Sequence, residues 1–325
     1  MESQGPDRQA PTDEHMDAAP VEISIVIPAY NRAATIARCV ESVLAQDFPS
    51  FEVVVADDGS TDTTREIVAA IADPRVRIVA RGSNGGAAAA RNTGIAAARG
   101  RYIAFLDSDD VFLPGKLAAQ HAALRAAGPA ERLSCTAFRI ELLDQGQIID
   151  WYHKPDAATF DGLIKGCSLG PGSTLMAERR VFEEIGPLDT TLRRFEDWEW
   201  LLRYVAAGGE ILVVNAILTH IYNRRGRLSR DTWRAAERLI AKRDAAFPQA
   251  SPRLRREANF SIWTQVAGTA FYARDYPTLL RAVARAVREQ PAELVRRVAL
   301  FLSGRNAQKA TEAKQSRAKE RCNPE

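Results

Sequence analysis

The chain has 325 residues, 46% of them hydrophobic, which exceeds one minimal domain and suits a large α/β domain with an appendage. A formal net charge of +3 carries no electrostatic footprint of a nucleic-acid binder. No run of about 18 apolar residues exists to span a bilayer.

Residues 1–20 are polar and acidic, lack a basic start followed by an apolar run, and read as a disordered tail rather than a signal peptide. Residues 23–28 form an apolar run ended by a proline, the pattern of a fully buried strand. Residues 35–46 follow with Ile36, Val40, Val43 and Leu44 spaced for one helix face. A second buried strand at 51–56 leads into the loop Asp57-Asp58-Gly59-Ser60, and a helix through Ile67, Val68 and Ile71 precedes a strand at 76–79. The glycine-rich loop 82–86 opens an alanine-rich helix at 87–98. A fourth strand at 101–106 runs straight into Asp107-Ser108-Asp109-Asp110. Strands alternating with helices predict a doubly wound, mostly parallel sheet of Rossmann-like type. Ligands of such sheets bind beyond the strands' carboxyl ends, so the two acidic loops should converge on one crevice.

After about residue 130 the pattern changes. Strands are expected at 133–140, 148–152 and 173–177, then a helix over 195–207 and a strand pair near 211–222. Residues 231–302 read as a helical region with Pro291 in a first turn. Residues 303–325 read as a basic disordered tail. The scattered cysteines Cys39, Cys135, Cys167 and Cys322 form no CxxC or Cys/His cluster, which indicates neither a zinc site nor a disulfide framework and fits a reduced, cytoplasmic setting.

Each acidic segment has two readings by itself. Asp107 and Asp109 either share a face and offer oxygen ligands to a hard divalent cation, or cap a helix beginning near Pro114. Asp57 and Asp58 either accept from a nucleoside or cap the next helix. In Glu196-Asp197-Trp198-Glu199-Trp200 the carboxylates either complement a helix N-terminus or place Asp197 as a general base, and the tryptophans either offer a face to a sugar or fill the core. No GxGxxG or GxxxxGK[ST] fingerprint follows the first strand, which removes the main support for a dinucleotide or P-loop site.

Together the segments 24–31, 52–62, 84–94, 102–110, 186–189 and 196–200, in this order, resemble the family 2 glycosyltransferases over roughly residues 21–230. The resemblance implies a GT-A fold and an inverting transfer of a sugar from a nucleotide-sugar donor, by preference a UDP-sugar, to an acceptor hydroxyl in glycan, polysaccharide or glycolipid synthesis. It divides the domain into a nucleotide-binding half, 21–110, and an acceptor-binding half, 111–230. It implies that Pro28, Tyr30, Asp57, Asp58, Arg91 and Asp107 face the nucleotide. Asp109 would hold Mn2+ or Mg2+ and Asp197 would be the catalytic base. Gly172, Ser173, Glu196 and Trp198 would support or bind the acceptor. Relatives often carry a histidine after the last strands; here Arg224, Arg225 and Arg227 stand in that segment, either on the diphosphate or in a solvated loop. A sugar nucleotidyltransferase and a non-catalytic sugar- or nucleotide-binding module are the competing readings. Apolar and arginine residues at helical spacing near 280–302 predict either a packed helical cap or peripheral contact with the inner face of a membrane, near a lipid-linked acceptor.

Overall fold

The protein is described by a computed structural model over residues 20–223 and 232–296. The tails, Arg224, Arg225 and Arg227 lie outside the described residues. The first half is the expected alternation: β1 (Ile23–Ala29), α1 (Ile36–Leu44), β2 (Phe51–Asp57), α2 (Thr64–Ala69), β3 (Val76–Ala80), α3 (Ala87–Ala97) and β4 (Tyr102–Phe105). The second half adds β5 (Val111–Phe112), α4 (Lys116–Ala126), β6 (Leu133–Leu142), β7 (Gln147–Trp151), α5 (Phe160–Lys165), β8 (Leu175–Glu178), α6 (Arg179–Ile185), α7 (Glu196–Ala206) and β9 (Ile211–Asn223). Helices α8 (Thr232–Ala246), α9 (Pro252–Tyr272) and α10 (Tyr276–Glu289) follow, and residues 291–296 are helical too.

One sheet runs in the order β3-β2-β1-β4-β8-β6-β9-β5, with β7 paired to β6. The β3-β2-β1-β4 half is parallel, as the alternation predicts, and so is β6 with β9. Antiparallel pairings of β8 with β4 and β6, and of β5 with β9, make the whole sheet mixed. Every residue of β1 and β2 is buried, which is why both read as unbroken apolar runs.

The pleat of β1 divides two cores. Ile23, Ile25 and Ile27 pack with Ile36, Cys39, Val40 and Val43 of α1 on one face. Val26 packs with α3 and the later helices on the other. Helix α3 lies close against the sheet because its buried positions, Arg91 apart, are alanine and glycine. A Cβ on Gly94 would run into the Val26 side chain, so that close approach requires glycine. Helices α5 to α10 share the second core, with Trp198, Trp263 and Phe260 at full burial.

The expected strand pair near 211–222 is instead one 13-residue strand, β9. Its register against β6 shifts between Thr136 and Ala137, where the partner moves from Val214 to Ile217. Asn215 and Ala216, whose sequence resembles a turn, lie in that irregularity, and the Asn215 side chain accepts from the His153 N–H at 2.9 Å. The expected strand at 173–177 begins with a 3-10 turn, Gly172–Thr174.

Candidate functional site

The site forms where β1, β2 and β4 end. Asp57 closes β2, Asp58 follows it, and Asp107 to Asp110 follow β4. The parallel register puts these ends side by side, and the two acidic loops converge as the topology requires.

A cavity of about 700 Å3 opens there. Pro28, Tyr30, Asp58, Gly86, Asp107 and Asp109 are among the residues that line it. The Tyr30 side chain is 42% exposed, an unusual position for a large ring unless something packs on it. Asn31, next to it, has a left-handed φ of 52°, a conformation asparagine tolerates better than most residues. Asp58 is buried and accepts the backbone N–H of Gly85 at 3.0 Å and of Gly86 at 2.7 Å, with Arg81 Nε at 2.8 Å. It thereby fixes the loop that opens α3. Asp57 lies outside this cavity: its carboxylate accepts from Arg65 Nε at 2.6 Å and the Ser60 N–H at 3.1 Å.

Arg91, on α3, is 3% exposed and holds two carboxylates at once. One Nη donates to Asp107 and the other to Glu196, each at 2.6 Å. Burial alone lowers the guanidinium's affinity for its proton, but Asp107, Glu196 and Asp197 outweigh it and hold the pKa above its ordinary value. Asp109 is about a third exposed and has Arg32 Nη2 at 3.4 Å from Oδ2.

Behind this loop, the Ser173 hydroxyl donates to Asp110 at 2.6 Å and accepts from the Asp107 N–H at 3.0 Å. Burial, then Asp107 and Asp109, push the Asp110 pKa well above the usual carboxylate range. Gly172 is buried too, and a Cβ there would come within 3.1 Å of Arg91 Nη2. Ser173 and Gly172 thus brace the acidic loop and Arg91 from behind, while their neighbours Gly170 and Pro171 line the open side.

A second cavity, about 460 Å3, adjoins the first. Arg91, Asp107, Arg193, Arg194 and Glu196 line both, whereas Asp197 and Gln265 line only the second. Helix α7 starts here, and Phe195 before it takes a φ of 66°, a strained value for a bulky residue that turns the chain to aim Glu196 and Asp197 inward. Burial first, and then the Glu196 charge, raise the Asp197 carboxyl from the ordinary 3.8 to about 6, although the Trp198 N–H donates to it at 2.8 Å and Arg91 is near. Trp198 is 2% exposed and donates from Nε1 to Leu163 O at 2.7 Å, so its ring belongs to the core and supports the helix. Trp200 is equally buried and stacks on Phe182.

Arg32, Arg193, Arg194 and Gln265 also reach these cavities, and nothing in their sequence context announces it. Gln265 comes from α9, so the C-terminal helices complete the second cavity. His220, near the position of the histidine in relatives, lies 3.2 Å from Glu141 and stacks on Tyr222. Among the described residues no three His, Cys, Asp or Glu side chains cluster as a complete metal cage. Asp107 and Asp109 are nonetheless an all-oxygen pair, and the Arg32 guanidinium already places positive charge beside Asp109. That donor set fits a hard cation that keeps most of its positions for a phosphate ligand and water.

The family model described as glycosyl transferase family 2 matches residues 24–186. The chain is 36% identical over 223 residues to the succinoglycan biosynthesis protein ExoO of Rhizobium meliloti, covering 64% of this chain and 63% of that protein. It is 32% identical over 219 residues to the putative teichuronic acid biosynthesis glycosyltransferase TuaG of Bacillus subtilis, covering 66% of this chain and 84% of that one. It is also 35% identical over 148 residues to the Escherichia coli UDP-Glc:alpha-D-GlcNAc-diphosphoundecaprenol beta-1,3-glucosyltransferase WfgD, covering 46% of this chain. The chain thus spans 63% and 57% of the lengths of ExoO and WfgD. Among solved structures, S. aureus TarS in complex with UDP-GlcNAc superposes with a TM-score of 0.63 at 19% identity, covering 83% of this chain and 81% of that one. The mannosyltransferase PcManGT of Pyrobaculum calidifontis, in complex with GDP-Man and Mn2+, gives 0.57 at 20% identity, covering 88% and 83%. At these identities the structural likeness speaks to the fold.

Proposed function

Because the chain belongs to glycosyl transferase family 2, we propose that it moves a sugar from a UDP-sugar to an acceptor hydroxyl, with inversion, in the assembly of a polysaccharide or lipid-linked glycan. The observation that carries this reading is the pair of adjoining cavities. The first holds an exposed aromatic ring and the acidic pair. The second holds one carboxyl tuned to about 6. The two meet at Arg91 and Glu196.

In this reading Tyr30 and Pro28 flank the base and Asp58 stiffens the loop around it. Asp109, with Asp107, would hold Mn2+ or Mg2+, which would offset the charge of the departing diphosphate. Asp197 accepts the proton of the acceptor hydroxyl as its oxygen bonds to the anomeric carbon; the bond to the diphosphate oxygen breaks and UDP leaves with that electron pair. A base so placed contributes roughly 10²–10⁴-fold. One carboxyl at the reacting carbon fits a single inverting displacement, whereas hydrolases flank the bond with two. UDP complexes of a structural neighbour and the UDP-Glc donor in the name of WfgD support uridine as the base. The same name, with its diphosphoundecaprenol acceptor, supports a lipid-linked acceptor.

Peripheral membrane contact belongs to this proposal. No described helix is long and apolar enough to cross a membrane. Helix α10 packs on the body through Ala282 and Ala286, yet leaves Tyr276, Leu280 and Val287 exposed along one outer stripe beside Arg288. Arg281 and Arg285 lie over Trp233 and Trp263 and fasten the helix to the cap.

UDP release from UDP-glucose and UDP-N-acetylglucosamine, measured with Mn2+ and no added acceptor, tests the reaction. Slow release by the wild type that falls to background in Asp197→Asn supports the proposal. Equal release by both proteins contradicts the base assignment.

A further inference from the structure

Arg193 lines a third cavity besides the two of the site. This one is about 310 Å3 and is lined by Thr190, Thr191, Arg193, Arg234, Ala235 and Arg238. Arg234 and Arg238 stand four residues apart on α8 and so share a face. Arg193 precedes α7, which bears Asp197.

The charge here is not neutralised. Arg193 donates to the Asn84 side-chain oxygen at 3.3 Å and Arg238 to the Thr191 carbonyl. Among the described residues no carboxylate pairs with Arg193, Arg234 or Arg238, and Arg234 makes no hydrogen bond. Nearby cations behave differently: Lys242, further along α8, pairs with Asp189 at 2.6 Å, and Arg203 with Glu199 at 3.0 Å. Three guanidinium groups around one small cavity repel one another, and an anion between them relieves that repulsion. Planar guanidinium forks match phosphate oxygens two at a time, and the Thr190 and Thr191 hydroxyls add donors of the right kind.

We propose that this cavity binds a phosphate or diphosphate group of the acceptor. The inference rests on the reading of the Asp197 cavity as the acceptor side. Arg193 lines both that cavity and this one, so an acceptor whose hydroxyl sits at Asp197 would place its phosphate on the Arg234 and Arg238 side of Arg193. Two sources share this chemistry: a lipid-borne diphosphate and a phosphodiester-bearing glycan.

Calorimetric titration of the full chain distinguishes them. UDP is held saturating, with Mn2+ in excess, so that the nucleotide site is filled. The probes are geranyl diphosphate and the phosphodiester glycerophosphoglycerol. The wild type binds at least one of them, and Arg234→Gln weakens that binding by about tenfold or more, the scale of one lost charge-assisted hydrogen bond. The tighter probe names the source. UDP affinity stays the same in the variant, which shows that Arg234→Gln is folded and has spared the first cavity. If neither probe binds, or if the variant binds as tightly as wild type, the proposal falls. Failure of UDP itself to bind strikes the glycosyltransferase reading instead, and the two failures are thereby separable.

Discussion

Arg91 Nη1 donates to Glu196 Oε1 at 2.6 Å across 105 residues of chain, while its other Nη holds Asp107. One buried guanidinium therefore joins the loop after β4 to the start of α7, and joins the wall of the first cavity to that of the second.

Arg91→Ala leaves two carboxylates facing each other without their cation. Removing one partner of a buried ion pair costs about 3–5 kcal/mol, so a large fall in melting temperature is expected. Arg91→Lys keeps the charge and loses the fork, and should fall between the two. A denaturant series on both variants checks the order; an unchanged midpoint for Arg91→Ala contradicts the account.

As the proposed base, Asp197 should have opposite effects on activity and stability. Its folded pKa of about 6 lies above the ordinary 3.8. The ionised form is therefore disfavoured by folding: the penalty is absent below about pH 4, grows between the two values, and is complete above about pH 6. Asp197→Asn removes that penalty and keeps the acceptor oxygen for the Trp198 N–H, so it should stabilise the protein at pH 7.5 by about 1–3 kcal/mol while abolishing turnover. The base must be unprotonated to act, so kcat/KM should fall as pH drops through about 6. Melting curves and a pH–rate profile test the two halves separately.

The parallel half of the fold was legible because its signals are local: unbroken apolar runs at β1 and β2, helical spacing in α1, and acidic residues at strand ends. The convergence of Asp58, Asp107 and Asp109 followed from topology. What the sequence conceals is long-range. The Asn215-Ala216 irregularity resembles a turn until β6 holds both sides in one ladder. Asp57 and Asp58 are adjacent and both acidic, yet only Asp58 lines the cavity, because Arg65 draws Asp57 away. Gln265 reaches the second cavity from a helix whose own pattern reports only packing.

Trp198 separates support from sugar stacking. Its burial and its bond to Leu163 O predict that Trp198→Ala costs about 3–5 kcal/mol of stability. A normal melting temperature with a raised acceptor KM would instead place the ring against the substrate.

The exposed stripe on α10 predicts binding to vesicles containing anionic lipid. Leu280→Glu with Val287→Glu should abolish co-sedimentation and leave UDP binding intact, since neither residue lines the cavities. Equal sedimentation of variant and wild type removes the membrane contact.

In the proposed function, the nucleotide site is metal-assisted and built on Asp109. Calorimetric titration of UDP with Mn2+, and with a chelator in its place, tests it on wild type and on Asp109→Ala. Binding should need the metal and be lost in the variant. Binding that is indifferent to both metal and Asp109, or no binding by the wild type, would contradict it.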